Sequence, residues 1–198
     1  MANEKVTKYI KNKMNGHIYI LEPMHKIEAL IETQKQFKDD MDIDTFKLNC
    51  ANYCLEKHGQ CTNLWNDVSE MVNYLVFSGV LLKDEKGLVK MPANLEERID
   101  SIDAFEKIIS NISVSGNHST YALAENMVNT SYKFPEGKAA LHEFVNECVK
   151  NYKGNTTNLF YDIVAIMKSI AKKDDNNKSI INADNGHFNV PLKFKEEK

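Results

Sequence analysis

The sequence predicts a mainly α-helical fold, a multi-helix protein with short β-hairpins, and three observations carry that prediction. Apolar residues recur at three- and four-residue spacings through about eight segments, the period of helices with one buried face. The 8 glycines and 4 prolines sit mostly between those segments rather than inside them. Two short alternating runs flank polar turns at 83–87 and 184–186, the pattern of a hairpin.

Taken in order, Val6, Tyr9, Ile10, Lys13 and Met14 share one side of a first helix that Asn15-Gly16 ends. The alternative is a hairpin turning at Asn15-Gly16 into the strand-like run 17–21; helix followed by strand is the preferred reading. A second helix over 24–38 aligns Ile27, Leu30, Ile31, Gln34 and Phe37. After an acidic break, Asp44 is placed to cap a third helix that Gly59 stops, with Phe46, Leu48, Ala51, Cys54 and Leu55 directed inward. A helix over 95–112, capped by Asn94, carries Ile99, Ile102, Phe105 and Ile109, with Asp103 as an alternative break. Beyond the loop 113–117, a helix runs from Ser119 to Tyr132, and Pro135 fits the first turn of the next. Thr156 or Thr157 caps the last helix, which finishes in Lys172-Lys173. The tail turns at Asp184-Asn185-Gly186 into a strand that Pro191 marks as an edge; it docks on the run 17–21 or reaches a partner. No tandem repeat is read from the sequence.

The stretch 61–92 organises this reading. Leu64, Trp65, Val68, Met71, Val72, Leu75 and Val76 define an amphipathic helix that Thr62 or Asn63 caps and Gly79 terminates. Val80-Leu81-Leu82 and Leu88-Val89 then flank a charged turn. A helix running into a hairpin with a charged tip resembles the last helix and wing of a winged helix-turn-helix domain, over about 43–92. The resemblance implies a winged-helix-like unit whose helix and wing meet a macromolecule. The remaining division is 1–42, then 43–112, then 117–198, or a single compact domain.

Composition narrows the function classes. A net charge of −3 removes the simplest electrostatic argument for a nucleic-acid partner. Arg98 is the lone arginine and asparagine occurs 22 times. That bias fits an AT-rich coding genome, so a phage, a mobile element or a low-GC bacterium is the expected source. With no signal-like segment and no run of eighteen apolar residues, the chain reads as cytoplasmic with no membrane partner and reduced thiols.

Chemistry-bearing clusters are sparse. Cys50, Cys54, His58 and Cys61 are soft zinc ligands by type, but Cys50 and His58 lie about 12 Å apart along a helix rising about 1.5 Å per residue. Buried thiols and a surface histidine are therefore expected, with no metal and no cofactor. Residues 115–119, Ser-Gly-Asn-His-Ser, are the one local serine–histidine pairing, and a loop with a helix cap at Ser119 explains them. No phosphate-binding glycine loop and no nucleophile elbow occur. A site assembled from distant His118, His142 and His187 is the enzymatic alternative.

The expectation is therefore a non-enzymatic macromolecule-binding protein of a phage or mobile element, acting on a host or phage protein as inhibitor, adaptor or regulator. Its protein-binding residues are placed on the 64–78 helix at Asn66, Asp67, Glu70 and Asn73. That helix contains no lysine or arginine, and its carboxylates would repel phosphates. The alternative is a winged-helix DNA-binding transcription regulator or replication accessory factor, touching phosphates through Lys83, Lys86 and Lys90. Lysines near both termini add to this only if the fold gathers them.

Overall fold

The computed structural model describes residues 4–14, 23–36, 41–59, 63–176 and 178–195. It is mainly helical, with eight helices and two three-stranded antiparallel sheets among those residues. The chain divides into two compact units, Met1–Glu96 and Glu97–Lys198. The division falls near the start of the fifth helix, not in the 113–117 loop, because that helix packs into the second unit. The strand-like run 17–21 and Cys61 lie outside the described residues.

The first unit holds α1 (Glu4–Met14), α2 (Pro23–Gln36), β1 (Met41–Asp42), α3 (Ile43–His58), α4 (Leu64–Phe77), β2 (Leu82–Lys83) and β3 (Leu88–Lys90). Asp42, not Asp44, caps α3: it keeps extended backbone and its carboxylate accepts from Thr45 N at 2.9 Å. Asp44 instead occupies the first turn. The buried stripe of α3 is Phe46, Cys50, Ala51 and Cys54; α3 packs on α2, whose Ile27, Leu30 and Ile31 are buried too. Leu64, Val68, Met71, Val72 and Leu75 bury the inner face of α4. Each contributes about 1.5–3 kcal/mol by leaving water. The hairpin is closed by Asp84, whose carboxylate accepts from Lys86 N at 2.8 Å and Leu88 N at 2.9 Å. Its second strand pairs with β1, giving the order β1-β3-β2.

The second unit holds α5 (Leu95–Ile109), α6 (Thr120–Ser131), β4 (Lys138–Ala140), α7 (Leu141–Asn151), α8 (Leu159–Ala171), β5 (Ala183–Asp184) and β6 (His187–Asn189). α5 is continuous through Asp103. Its Phe105 stacks on Phe194 with ring centroids 4.6 Å apart. Pro135 opens no helix; it lies in a turn before β4, and α7 starts only at Leu141. The C-terminal hairpin turns through Asn185 and Gly186, both at positive φ. It pairs with β4 through β6, in the order β4-β6-β5, and Pro191 falls beyond the paired residues.

The two units thus share one element order, helix-helix-strand-helix-helix-strand-strand, and one strand order, first-third-second. A duplication is present that the sequence did not disclose. It is clearest in the residues at Thr-Asn-Leu-Trp-Asn-Asp-Val, 62–68, and Thr-Asn-Leu-Phe-Tyr-Asp-Ile, 157–163; Phe46 and Cys50 of α3 also recur as Phe144 and Cys148 of α7, and Gly87 and Pro92 around β3 as Gly186 and Pro191 around β6. Asn63 and Asn158, with φ of 57° and 62°, turn the chain into α4 and α8 through the left-handed region that asparagine tolerates. Neither makes a side-chain cap bond, and Thr157 is not the cap.

Candidate binding faces

Leu48, Leu55 and Trp65 were expected in the core, and the structure places them outside it, 50%, 43% and 47% exposed. Leu48 and Leu55 are seven residues apart on α3, hence on one line of that helix, away from the Phe46–Cys50–Cys54 stripe. With Trp65 and Leu64 of α4 they line an open groove of about 420 Å³, which Asn52 and Asn66 also border. Three exposed carboxylates lie near its lining residues in sequence: Asp44, one turn before Leu48 and 3.8 Å from Lys47 Nζ, Glu56, next to Leu55, and Glu70, one turn past Asn66. The signal in the sequence was an α3 with apolar residues over more of its circumference than one buried stripe needs.

Asn66, Glu70 and Asn73 are exposed along one stripe of α4, as expected. Asp67 is not on that surface. It sits three residues from Leu64 and four from Met71 on the inner face, 9% exposed, and its carboxylate pairs with the ammonium of Lys26, itself 1% exposed. A carboxylate brought out of water needs such a partner, so Asp67 fastens α4 to α2 and is unavailable to a ligand.

Lys83, Lys86 and Lys90 are exposed on the hairpin. The register pairs Lys83 with Val89 and Leu82 with Lys90, so Lys83 and Lys90 project from opposite faces of the ribbon. The three therefore do not form one cationic patch.

The serine–histidine loop serves a structural purpose. Asp162 of α8, 1% exposed, accepts from Ser115 N at 2.8 Å, Ser115 Oγ at 2.9 Å and Gly116 N at 2.9 Å. His118 Nε2 stands 3.0 Å from the Thr157 carbonyl oxygen, to which it donates. The serine hydroxyl donates to the Asp162 carboxylate rather than to the His118 imidazole, whose Nε2 stands 3.7 Å from Asp162 Oδ2. A Cβ on Gly116 would lie 2.2 Å from Asp162 Oδ2, which is why glycine stands there. His142 contacts Asn146 and His187 contacts the Asn185 carbonyl, each locally. Ser119 caps α6 through Ala122 N at 3.5 Å.

Cys50 and Cys54 are buried, and burial pushes the Cys50 thiol up to about 12. His58 stacks on His25 of α2 with ring centroids 3.9 Å apart. No group of three or more metal-ligating side chains occurs among the described residues. No helix among them is long and apolar enough to cross a membrane. Comparison with protein families, with curated proteins and with solved structures returns no match.

Proposed function

We propose that the chain is a non-enzymatic binding protein whose first unit docks a protein partner on the α3–α4 face. The carrying observation is the groove: three large apolar side chains exposed around one opening. Local rules of amphipathic patterning fail there, and functional surfaces are where such failures concentrate. The carboxylates of Asp44, Glu56 and Glu70 favour a segment with apolar anchors flanked by lysine or arginine, and disfavour phosphates. Asn66 and Asn73 extend the contact; Asp67 is withdrawn from it. The lysine- and asparagine-rich composition fits a cytoplasmic inhibitor, adaptor or regulator from a phage or mobile element.

The test is affinity capture from a host lysate, followed by titration of the captured protein. A stoichiometric partner is expected with the unaltered chain and lost with Trp65→Ala. Reversing Asp44, Glu56 and Glu70 to Lys should weaken it with reduced salt dependence. Capture of no stoichiometric partner, or of one indifferent to both changes, would sink the proposal.

A second reading, a DNA-binding transcription regulator or replication accessory factor, is favoured by the element order. Helix, strand, helix, helix and hairpin, with the strand order seen here, resembles a winged helix-turn-helix domain, and the order occurs twice. This reading expects salt-sensitive duplex binding that weakens when Lys83, Lys86 and Lys90 become Glu.

A further inference from the structure

The duplicated segment aligns the outward stripes of α4 and α8 residue for residue. Asn66, Glu70, Asn73 and Phe77 of the first unit correspond to Tyr161, Ala165, Lys168 and Lys172 of the second, and every one of these eight is exposed. The backbone frame is kept while the chemistry inverts: a carboxylate becomes alanine, an amide becomes lysine and phenylalanine becomes lysine. Lys173 follows at once. The sole carboxylate of α8, Asp162, is turned inward and satisfied by Ser115 and Gly116, so it subtracts little from the outer potential. Lys168, Lys172 and Lys173 form no ion pair among the described residues. Nearby, Asp174 closes its own turn, accepting from Asn176 N at 2.9 Å and Lys178 N at 2.8 Å. Asp174 and Asp175, both exposed, are the carboxylates that follow these lysines directly in the chain.

Tyr161 is 71% exposed, the most exposed large apolar-bodied side chain among the described residues, and meets Phe160 edge-on at 5.7 Å. A ring held out in water on the same stripe as lysines that make no ion pair among the described residues suits a ligand with repeated negative charge and flat apolar surfaces. We infer that the second unit carries a nucleic-acid-binding face, with Lys168, Lys172 and Lys173 on phosphates and Tyr161 against a base or sugar. From Tyr161 to Lys172 the stripe spans about 16 Å at about 1.5 Å per residue, the reach of several nucleotides. An acidic protein would answer the lysines but give the tyrosine no stacking partner. The inference does not depend on the protein-docking proposal, which concerns the other unit.

The experiment uses the full chain and fluorescence anisotropy with a labelled 20-base-pair duplex and, separately, one of its strands, over a series of salt concentrations. Three phosphate contacts predict a slope of log K against log salt of about −2.7 for duplex and about −2.1 for single strand. The larger affinity identifies the physiological form, and either form supports the inference. Lys168→Ala and Lys172→Ala should each lower the slope by about one. Tyr161→Ala should weaken binding about ten-fold with the slope unchanged. Trp65→Ala should leave binding as it was, which separates this result from failure of the docking proposal. All four positions are exposed, so circular dichroism and melting should stay those of the unaltered chain. Absence of salt-dependent binding to both probes would overturn the inference. So would binding indifferent to the α8 changes, or equal displacement by polyglutamate.

Discussion

The buried pair between Lys26 and Asp67 offers the sharpest test of how the first unit is held together. Their side chains are 1% and 13% exposed, so each charge is desolvated and compensated chiefly by the other. Changing Lys26→Met leaves a carboxylate buried without its cation, and Asp67→Leu leaves the ammonium stranded. Breaking one side of such a pair costs about 3–5 kcal/mol. Changing both at once removes the stranded charge and should recover most of that loss, since apolar replacement of a buried pair is often neutral or stabilising by about 1–4 kcal/mol. Urea unfolding followed by the fluorescence of Trp65, the one tryptophan, reports on this unit. With an m-value of about 2 kcal/mol per molar, each single change lowers the midpoint by roughly 1.5–2.5 M. The double change should lie well above either single one, a coupling of several kcal/mol. If each single change shifts the midpoint by under about 0.5 M, or the double change equals their sum, the pair does not hold α4 to α2 and the reasoning fails.

In the second unit, Asp162→Asn removes acceptors for the Ser115–Gly116 amides and should cost about 1–3 kcal/mol by thermal melting. Gly116→Ala should disrupt the same contacts from the other side, and combining the two should cost less than their sum. Cys50, with its thiol pushed to about 12 by burial, should resist alkylation in the native state at neutral pH and react once urea is added. Glu97 is held below its ordinary 4.5 by the Tyr132 hydroxyl at 2.7 Å and by Lys193 at 3.0 Å. A carboxylate with a lowered folded value stabilises above the unfolded value and loses that contribution as acid protonates it. The melting temperature should therefore fall below about pH 4.5, and Glu97→Gln should flatten that part of the profile.

Much of the architecture was legible because local rules wrote it. The period of Leu64, Val68, Met71 and Leu75 fixed α4, Gly79 marked its end, and Asp184-Asn185-Gly186 marked the last hairpin. The same rules misplaced caps by a residue or two, since Asp42 and Asp44, or Thr157 and Asn158, differ in backbone rather than in type. Asp67 was misread for another reason: its position lies on the apolar stripe, but its polarity suggested solvent. Lys26, forty-one residues earlier, decides the matter.

The candidate face was less legible still. An apolar residue on a helix records that it prefers a partner without recording whether the chain supplies one. Leu48 and Leu55 read as core until the Phe46–Cys50–Cys54 side of α3 is seen to be the buried one and the groove beside α4 to be open. The duplication escaped notice because only short, scattered matches preserve it, while α3 and α7 differ in length, with 16 and 11 residues. The sequence by itself determined the helices, the hairpins and the poverty of catalytic motifs, all set by backbone preference and short-range spacing. Only the tertiary structure decided which apolar residues were left in water, which charges were paired away, and that the two units repeat one topology. Those outcomes depend on contacts between segments far apart in the chain, which local periodicity does not encode.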